Sequence, residues 1–188
     1  MSSKGKEKGS GFERAMCGRL SLWVSNHKRE DAFWRSAMSG GRATVHINSA
    51  KTSRFDAHAG DLTATHESGH LLLRMFIVEC KFWMRLYLDE LIYEMKPVIM
   101  IEWNKLKAQS LTQHRLPMMV AKQNRRPEMV LLTSEGLRII RRGCPKPEEL
   151  IVRATFPRED IHIVSLNNMI VDCEFDRIRK RFKTAPVR

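Results

Sequence analysis

No two cysteines in this chain stand in a C-x-x-C pair. The four of them, Cys17, Cys80, Cys144 and Cys173, are scattered through 188 residues. That argues against a zinc ribbon and suits separate thiols in a reducing compartment. Residues 1–9 are polar and lysine-bearing, with no apolar core of signal-peptide length. The greasiest stretches, 71–78 and 86–103, are broken by Arg74 and by Asp89, Glu90, Glu94, Lys96 and Pro97. Neither reaches the ~18 apolar residues that a bilayer requires. Internal repeats, low-complexity segments and an aromatic array for stacking single-stranded bases are also missing. What remains is a soluble, cytoplasmic type of chain without a membrane partner. Its 43% hydrophobic content is enough for a core.

Charge is what the chain has in excess. Thirty-three Lys and Arg against 21 Asp and Glu leave +12, with a pI near 10.0. A field of that sign raises the encounter rate with polyanions, nucleic acid first and an anionic membrane surface second.

Periodicity divides the chain into a flexible basic tail (1–9), a core (10–140) and a C-terminal extension with a basic end (141–188). Ser10 opens a helix in which Phe12, Met16, Leu20 and Trp23 share a face, and Ser10 with Glu13 fits a capping box. Residues 32–35 read as a short strand and 46–60 as a polar loop. Residues 62–65 and 71–82 read as a β-hairpin with 66–69 at its tip and the second strand buried. Helices are expected over 86–95 and from Pro97 to about Gln113, where Ile99, Trp103, Leu106 and Ser110 align. Strands at 117–121 and 128–132 flank a basic turn, and Thr133 or Ser134 caps a short helix. The strands 161–165 and 169–174 complete the pattern. This is an α/β arrangement.

The chemistry concentrates at Glu79-Cys80-Lys81. Alternation along a strand puts Glu79 and Lys81 on one face, and pairing of the hairpin brings Asp61 beside Glu79. Two carboxylates converging next to an ammonium suit Mg²⁺, a hard ion that takes oxygen ligands and keeps several waters. Asp61 and Glu79 supply side-chain oxygens, the Cys80 backbone carbonyl a third donor, and Lys81 a cation beside a reacting phosphate. An E-x-K pair alone is commonly a surface ion pair of little consequence. Asp61 at the head of the neighbouring strand raises it above that.

Gly60-Asp61 followed by Glu79-Cys80-Lys81 resembles the PD-(D/E)xK nuclease superfamily, with Gly60 in place of the usual proline. Gly11-Phe12-Glu13-Arg14 on the first helix, Trp34-Arg35-Ser36, and Ser39-Gly40-Gly41-Arg42 precede them in the order of the Holliday junction resolvase branch, which includes phage-encoded relatives. The resemblance covers residues 9–132. It implies a restriction-endonuclease-like mixed central β-sheet flanked by helices, a homodimer, dependence on Mg²⁺ or Mn²⁺, and branched or duplex DNA as substrate. It also implies that Glu13 joins the metal site and that Ser39 lies close to it. Cys80 replaces a small apolar residue, the loop 42–60 is long, and 141–188 has no counterpart. Arg35, Ser39, Arg42, Lys51 and Arg54 are the candidates for holding the DNA backbone. Glu13 has an equal claim as a helix cap.

His66-Glu67-Ser68-Gly69-His70 is a literal H-E-x-x-H. On a helix it would bind Zn²⁺ for peptide hydrolysis. Placed at a hairpin tip its histidines splay apart, and a peptidase leaves Asp61, Glu79, Lys81 and the charge unexplained. A DNA-binding protein with a degenerate site is the other alternative. The basic run Arg177, Arg179, Lys180, Arg181 and Lys183 is either a DNA-binding tail or the exposed face of a last helix.

Overall fold

The computed structural model describes residues 3–36, 60–86 and 98–184. Ser39, Arg42, Lys51, Arg54 and most of the helix expected over 86–95 lie outside them. In chain order the elements are α1 (Ser3–Val24), β1 (Phe33–Arg35), β2 (Leu62–Ala64), α2 (Glu67–Met75), β3 (Phe76–Trp83), α3 (Val98–Thr112) and β4 (Leu116–Gln123). There follow β5 (Met129–Leu132), α4 (Ser134–Arg141), β6 (Val152–Phe156), β7 (Ile161–Ser165), α5 (Leu166–Asp172) and α6 (Phe175–Thr184).

Five strands form one sheet in the order β3-β4-β5-β7-β6, and β1 and β2 form a separate antiparallel pair. β3 and β4 run parallel, which requires a crossover, and α3 lies between them in the chain. The remaining neighbours are antiparallel. This is the expected α/β class, a mixed sheet flanked by helices. The sheet does not stop at residue 140, because β6 and β7 from the C-terminal segment extend it.

Alternation along the strands sorts the core into two layers. Phe76, Val78 and Cys80 of β3 pack with Met118, Val120, Val130 and Leu132 against Met16, Cys17 and Leu20 of α1. Ile77, Met119, Leu131 and Ile163 pack on the other face with Ile99, Trp103 and Leu106 of α3. The α3 stripe, Ser110 included, is buried as its spacing predicts. The β4–β5 hairpin and the Thr133 cap, whose side chain accepts from Gly136 N, also agree with expectation.

Several expectations are corrected. α1 starts at Ser3, not Ser10. Ser10 Oγ donates to Glu7 O, so Ser10 lies inside the helix and there is no capping box with Glu13. The apolar run 71–82 is not one strand: it splits at Met75/Phe76 into α2 and β3. Leu72 and Met75, three apart, are buried on the helix side of that break. β2 therefore pairs with β1 and not with β3. Residues 169–174 are not a strand either. Ser165 caps α5, its side chain accepting from Asn168 N, and the helix takes residues 169–172 before ending at its C-cap Cys173. The basic run from Arg177 is helical in α6 as far as Thr184. Cys144 and Cys173 are joined in a disulfide, against the reading of separate thiols, while Cys17 and Cys80 are free and buried.

Candidate active site at the edge of β3

Among the described residues β3 has a strand neighbour on one side only. Its other edge is occupied by the chain at Asp61. Asp61 N donates to Val78 O at 2.9 Å, and Cys80 N donates to Asp61 Oδ2 at 2.8 Å. Asp61 O in turn accepts from Ser36 N at 2.8 Å, tying the β1–β2 pair to the sheet. N–H and C=O of one strand residue point to the same edge. Since Cys80 N–H points to Asp61, the Cys80 carbonyl faces that edge too.

Gly60 makes this approach possible. Its φ is +83°, and a Cβ there would stand 2.5 Å from Val78 O. Proline, locked near −65°, cannot adopt that φ, and a side chain cannot fit. Glycine is a requirement of the site at this position.

Asp61 is only 6% exposed. Burial, then the charge of Glu79, raises its pKa to about 7. The Cys80 N–H works against that shift, Glu13 adds to it and Lys81 lowers it. Glu13, Asp61, Glu79 and Lys81 thus share one electrostatic environment, although they come from α1, the segment before β2, and β3. Glu79 and Lys81 lie on the α3 face of β3, as alternation predicts. Lys81 Nζ is 2.7 Å from Glu79 Oε1 and 3.3 Å from Glu102 Oε2. Burial lowers the Lys81 pKa, but the carboxylates of Glu79, Asp61 and Glu102 outweigh it and the net shift is upward. Lys81 is a held cation.

On the other face, Glu13 forms an ion pair with Arg35 Nε. Arg35, expected at the DNA backbone, thus lies beside the acidic cluster. Glu102 was missed by sequence reasoning. It sits on α3 next to buried Trp103, and nothing local marks it, because its partner Lys81 is on a different element. Burial raises its pKa, but Lys105 and Lys81 bring it below the ordinary carboxylate value.

The donors at the open edge are carboxylate and carbonyl oxygens. Among the described residues no group of three or more His, Cys, Asp or Glu side chains is placed to hold a metal ion. The donor set fits a hard divalent cation held by one or two carboxylates plus water, and it does not fit an all-protein cage. Asp61, a buried carboxylate whose nearest charged neighbours include two more, is the group that such a cation would relieve.

H-E-x-x-H is at the start of α2 and not at a hairpin tip. His66 is the N-cap, with φ −142° and ψ 152°, outside the helix. Its Nδ1 accepts from Ser68 N at 3.2 Å. His66 thus serves the helix end, and His70 is exposed.

Residues 4–185 match the model of a family described as "Phage putative PDDEXK endonuclease". No curated protein and no solved structure matches.

Proposed function

The chain belongs to the phage PDDEXK endonuclease family, and from that premise we propose that Asp61, Glu79 and Lys81 are the reaction centre of a divalent-metal-dependent DNA endonuclease. One observation carries the reading: Asp61, eighteen positions before Glu79 in the chain, is hydrogen-bonded to the backbone of β3 on both sides of Glu79. No packing requirement explains a buried acid held against another acid, and such arrangements concentrate where chemistry is done.

In this reading the Asp61 and Glu79 carboxylates and the Cys80 carbonyl would hold Mg²⁺ or Mn²⁺, with Glu13 as a further carboxylate. The ion would supply an acidified water and countercharge for the scissile phosphate. Lys81, aligned by Glu79 and Glu102, orients the attacking water and stands beside the charge that builds on phosphorus. The water oxygen bonds to phosphorus as the P–O bond to the departing strand end breaks. Branched DNA, a four-way junction above all, is the substrate proposed, and a homodimer the form that cuts paired strands. The order of motifs from Glu13 to Lys81 supports both. The setting proposed is the cytoplasm of the host cell. Among the described residues no helix is long and apolar enough to cross a membrane.

The test is cleavage of a four-way junction, a linear duplex and a plasmid by the purified protein in Mg²⁺, Mn²⁺ or EDTA. Glu79→Ala and His66→Ala are run alongside. Cleavage that needs the metal, stops with Glu79→Ala and continues with His66→Ala is the expected result. Cleavage that persists in Glu79→Ala overturns the assignment.

A further inference from the structure

A second charged region stands apart from that edge. A cavity of about 420 Å³ opens between α4, β7 and α6. Arg138, Arg141 and Arg142 of the α4 segment line it, with Arg181 from α6, and His162 and Ser134 stand at its wall. Positions 138, 141 and 142 are spaced i, i+3, i+4, so one helical face carries all three arginines into one space.

Arg141 and Arg142 are the two of these cations on which the case for an anion rests; Glu135 feels the charge of Arg142 as well as that of Arg138. Glu135 is taken by Arg138, and Glu149 by Lys146. Asp160 Oδ1 accepts from both N and Oγ of Ser134 at the start of α4. Among the described residues no ion pair is recorded for Arg142. Arg141 donates through one terminal nitrogen to Leu150 O at 3.4 Å, while its Nε is buried and meets no acceptor. The dipole at the C-terminal end of α4 favours a cation there. It does not explain converging arginines or an unsatisfied Nε, which is costly in a buried place.

We propose that this cavity binds a phosphate of the DNA backbone, as a second contact separate from the reaction centre. The inference rests on the nuclease reading for the identity of the polyanion. Arginine forks match phosphate oxygens in pairs, and one phosphate satisfies Arg141 and offsets Arg142. His162 hydrogen-bonds through one ring nitrogen to Ser134 Oγ at 2.9 Å and through the other to Thr155 Oγ1 at 3.2 Å. The wall is therefore built before a ligand arrives. The register places the cavity: Val78, Met118, Leu132 and His162 lie in one row across β3, β4, β5 and β7. Three strand spacings are about 14 Å, but His162 faces the α1 side of the sheet with Val78 while Glu79 faces the α3 side, so the cavity and the reaction centre lie on opposite faces.

The experiment measures Kd for a fluorescent duplex over a series of salt concentrations in EDTA, with Glu79→Ala as the parent so that nothing is cut. Arg142→Gln and the double variant Arg141→Gln/Arg142→Gln are compared with Lys107→Gln, which removes one charge from α3 on the opposite face. The melting temperature of each variant is recorded, and Arg142→Gln, which keeps the backbone N–H that caps α4, serves if the double variant unfolds. Expected is a loss of affinity of about tenfold and a salt slope shallower by about one for Arg142→Gln, with Lys107→Gln near the parent. An unchanged slope overturns the proposal, as does an equal loss in Lys107→Gln, which would reflect net charge alone. Titration with inorganic phosphate separates the remaining source. Phosphate binding abolished by Arg142→Gln, with duplex affinity intact, assigns the cavity to free phosphate and overturns the backbone contact. Duplex binding that follows these expectations while the Glu79-bearing protein cuts no DNA in Mg²⁺ or Mn²⁺ would remove the nuclease reading and leave the cavity assignment standing.

Discussion

The β3 edge and the α4–α6 cavity both collect charge, but they are built in opposite ways. At the edge, charges from α1, β1, the segment before β2, β3 and α3 are forced together, and most are matched: Glu13 with Arg35, and Lys81 with Glu79 and Glu102. Asp61 is left as the buried carboxylate under strain of charge. In the cavity the cations come mainly from one helical face and outnumber the acids beside them. A matched cluster with one displaced pKa suits a reaction centre, where a few groups must be held in place. A wall that gathers arginines into one space suits an anionic ligand that is held without being changed.

The largest effect that tests this contrast is expected from Asp61→Asn and Glu79→Ala. Each should lower the cleavage rate by about a hundredfold or more while duplex Kd in EDTA stays within about threefold of the parent. A parallel collapse of binding would erase the distinction between the two regions. Gly60→Ala comes next. Its Cβ meets Val78 O, so the strained backbone should cost about 1–3 kcal/mol, seen as a lower melting temperature, and cleavage should fall with it because Asp61 moves. Full cleavage in Gly60→Ala would mean that the Asp61–β3 hydrogen bonds do not position the site.

A third cluster sharpens the comparison because no function is assigned to it. Glu128 lies 3.2 Å from Arg19 and 2.6 Å from Lys122. Burial raises its pKa, but Lys122 and Arg19 outweigh it, so the folded value is below the ordinary 4.5. A depressed carboxylate stabilises the fold above its unfolded pKa, and that contribution is lost as pH falls through the folded value. Glu128→Gln should therefore cost up to about 1 kcal/mol at pH 7, the group being partly exposed. The difference from the parent should shrink below about pH 4.5 in denaturant titrations. A difference that persists in acid would mean that the residue acts through packing. The smallest change is expected from His66→Ala, about 0.5 kcal/mol from the lost cap, with cleavage unaltered. Loss of cleavage there would revive the zinc reading.

Local rules made much of the frame legible. The stripe Ile99, Trp103, Leu106 and Ser110 declared α3, Thr133 declared the start of α4, and E-x-K declared two side chains on one face. The run 71–82 misled because a short apolar stretch satisfies both helical and strand periods. Leu72 and Met75 answer to the helix, and Phe76 onward to the sheet. β6 was missed although Val152, Ala154 and Phe156 alternate with more exposed neighbours, a signal that was present. Ser10 and Glu13 mimicked a cap because the pattern S-x-x-E also occurs inside helices.

The amino-acid order by itself determined the α/β class, the polyanion-seeking charge and the pairing of Glu79 with Lys81, since these depend on composition and on periods of a few residues. Only the tertiary structure decided how Asp61 reaches β3, by backbone hydrogen bonds past a glycine in place of hairpin pairing. It alone brought Glu102 to Lys81 and Glu13 to Arg35, and it turned three arginines toward a fourth across a cavity. The reason is physical: a contact between distant segments is fixed by how layers pack and which edge is left open, and no local propensity carries that information.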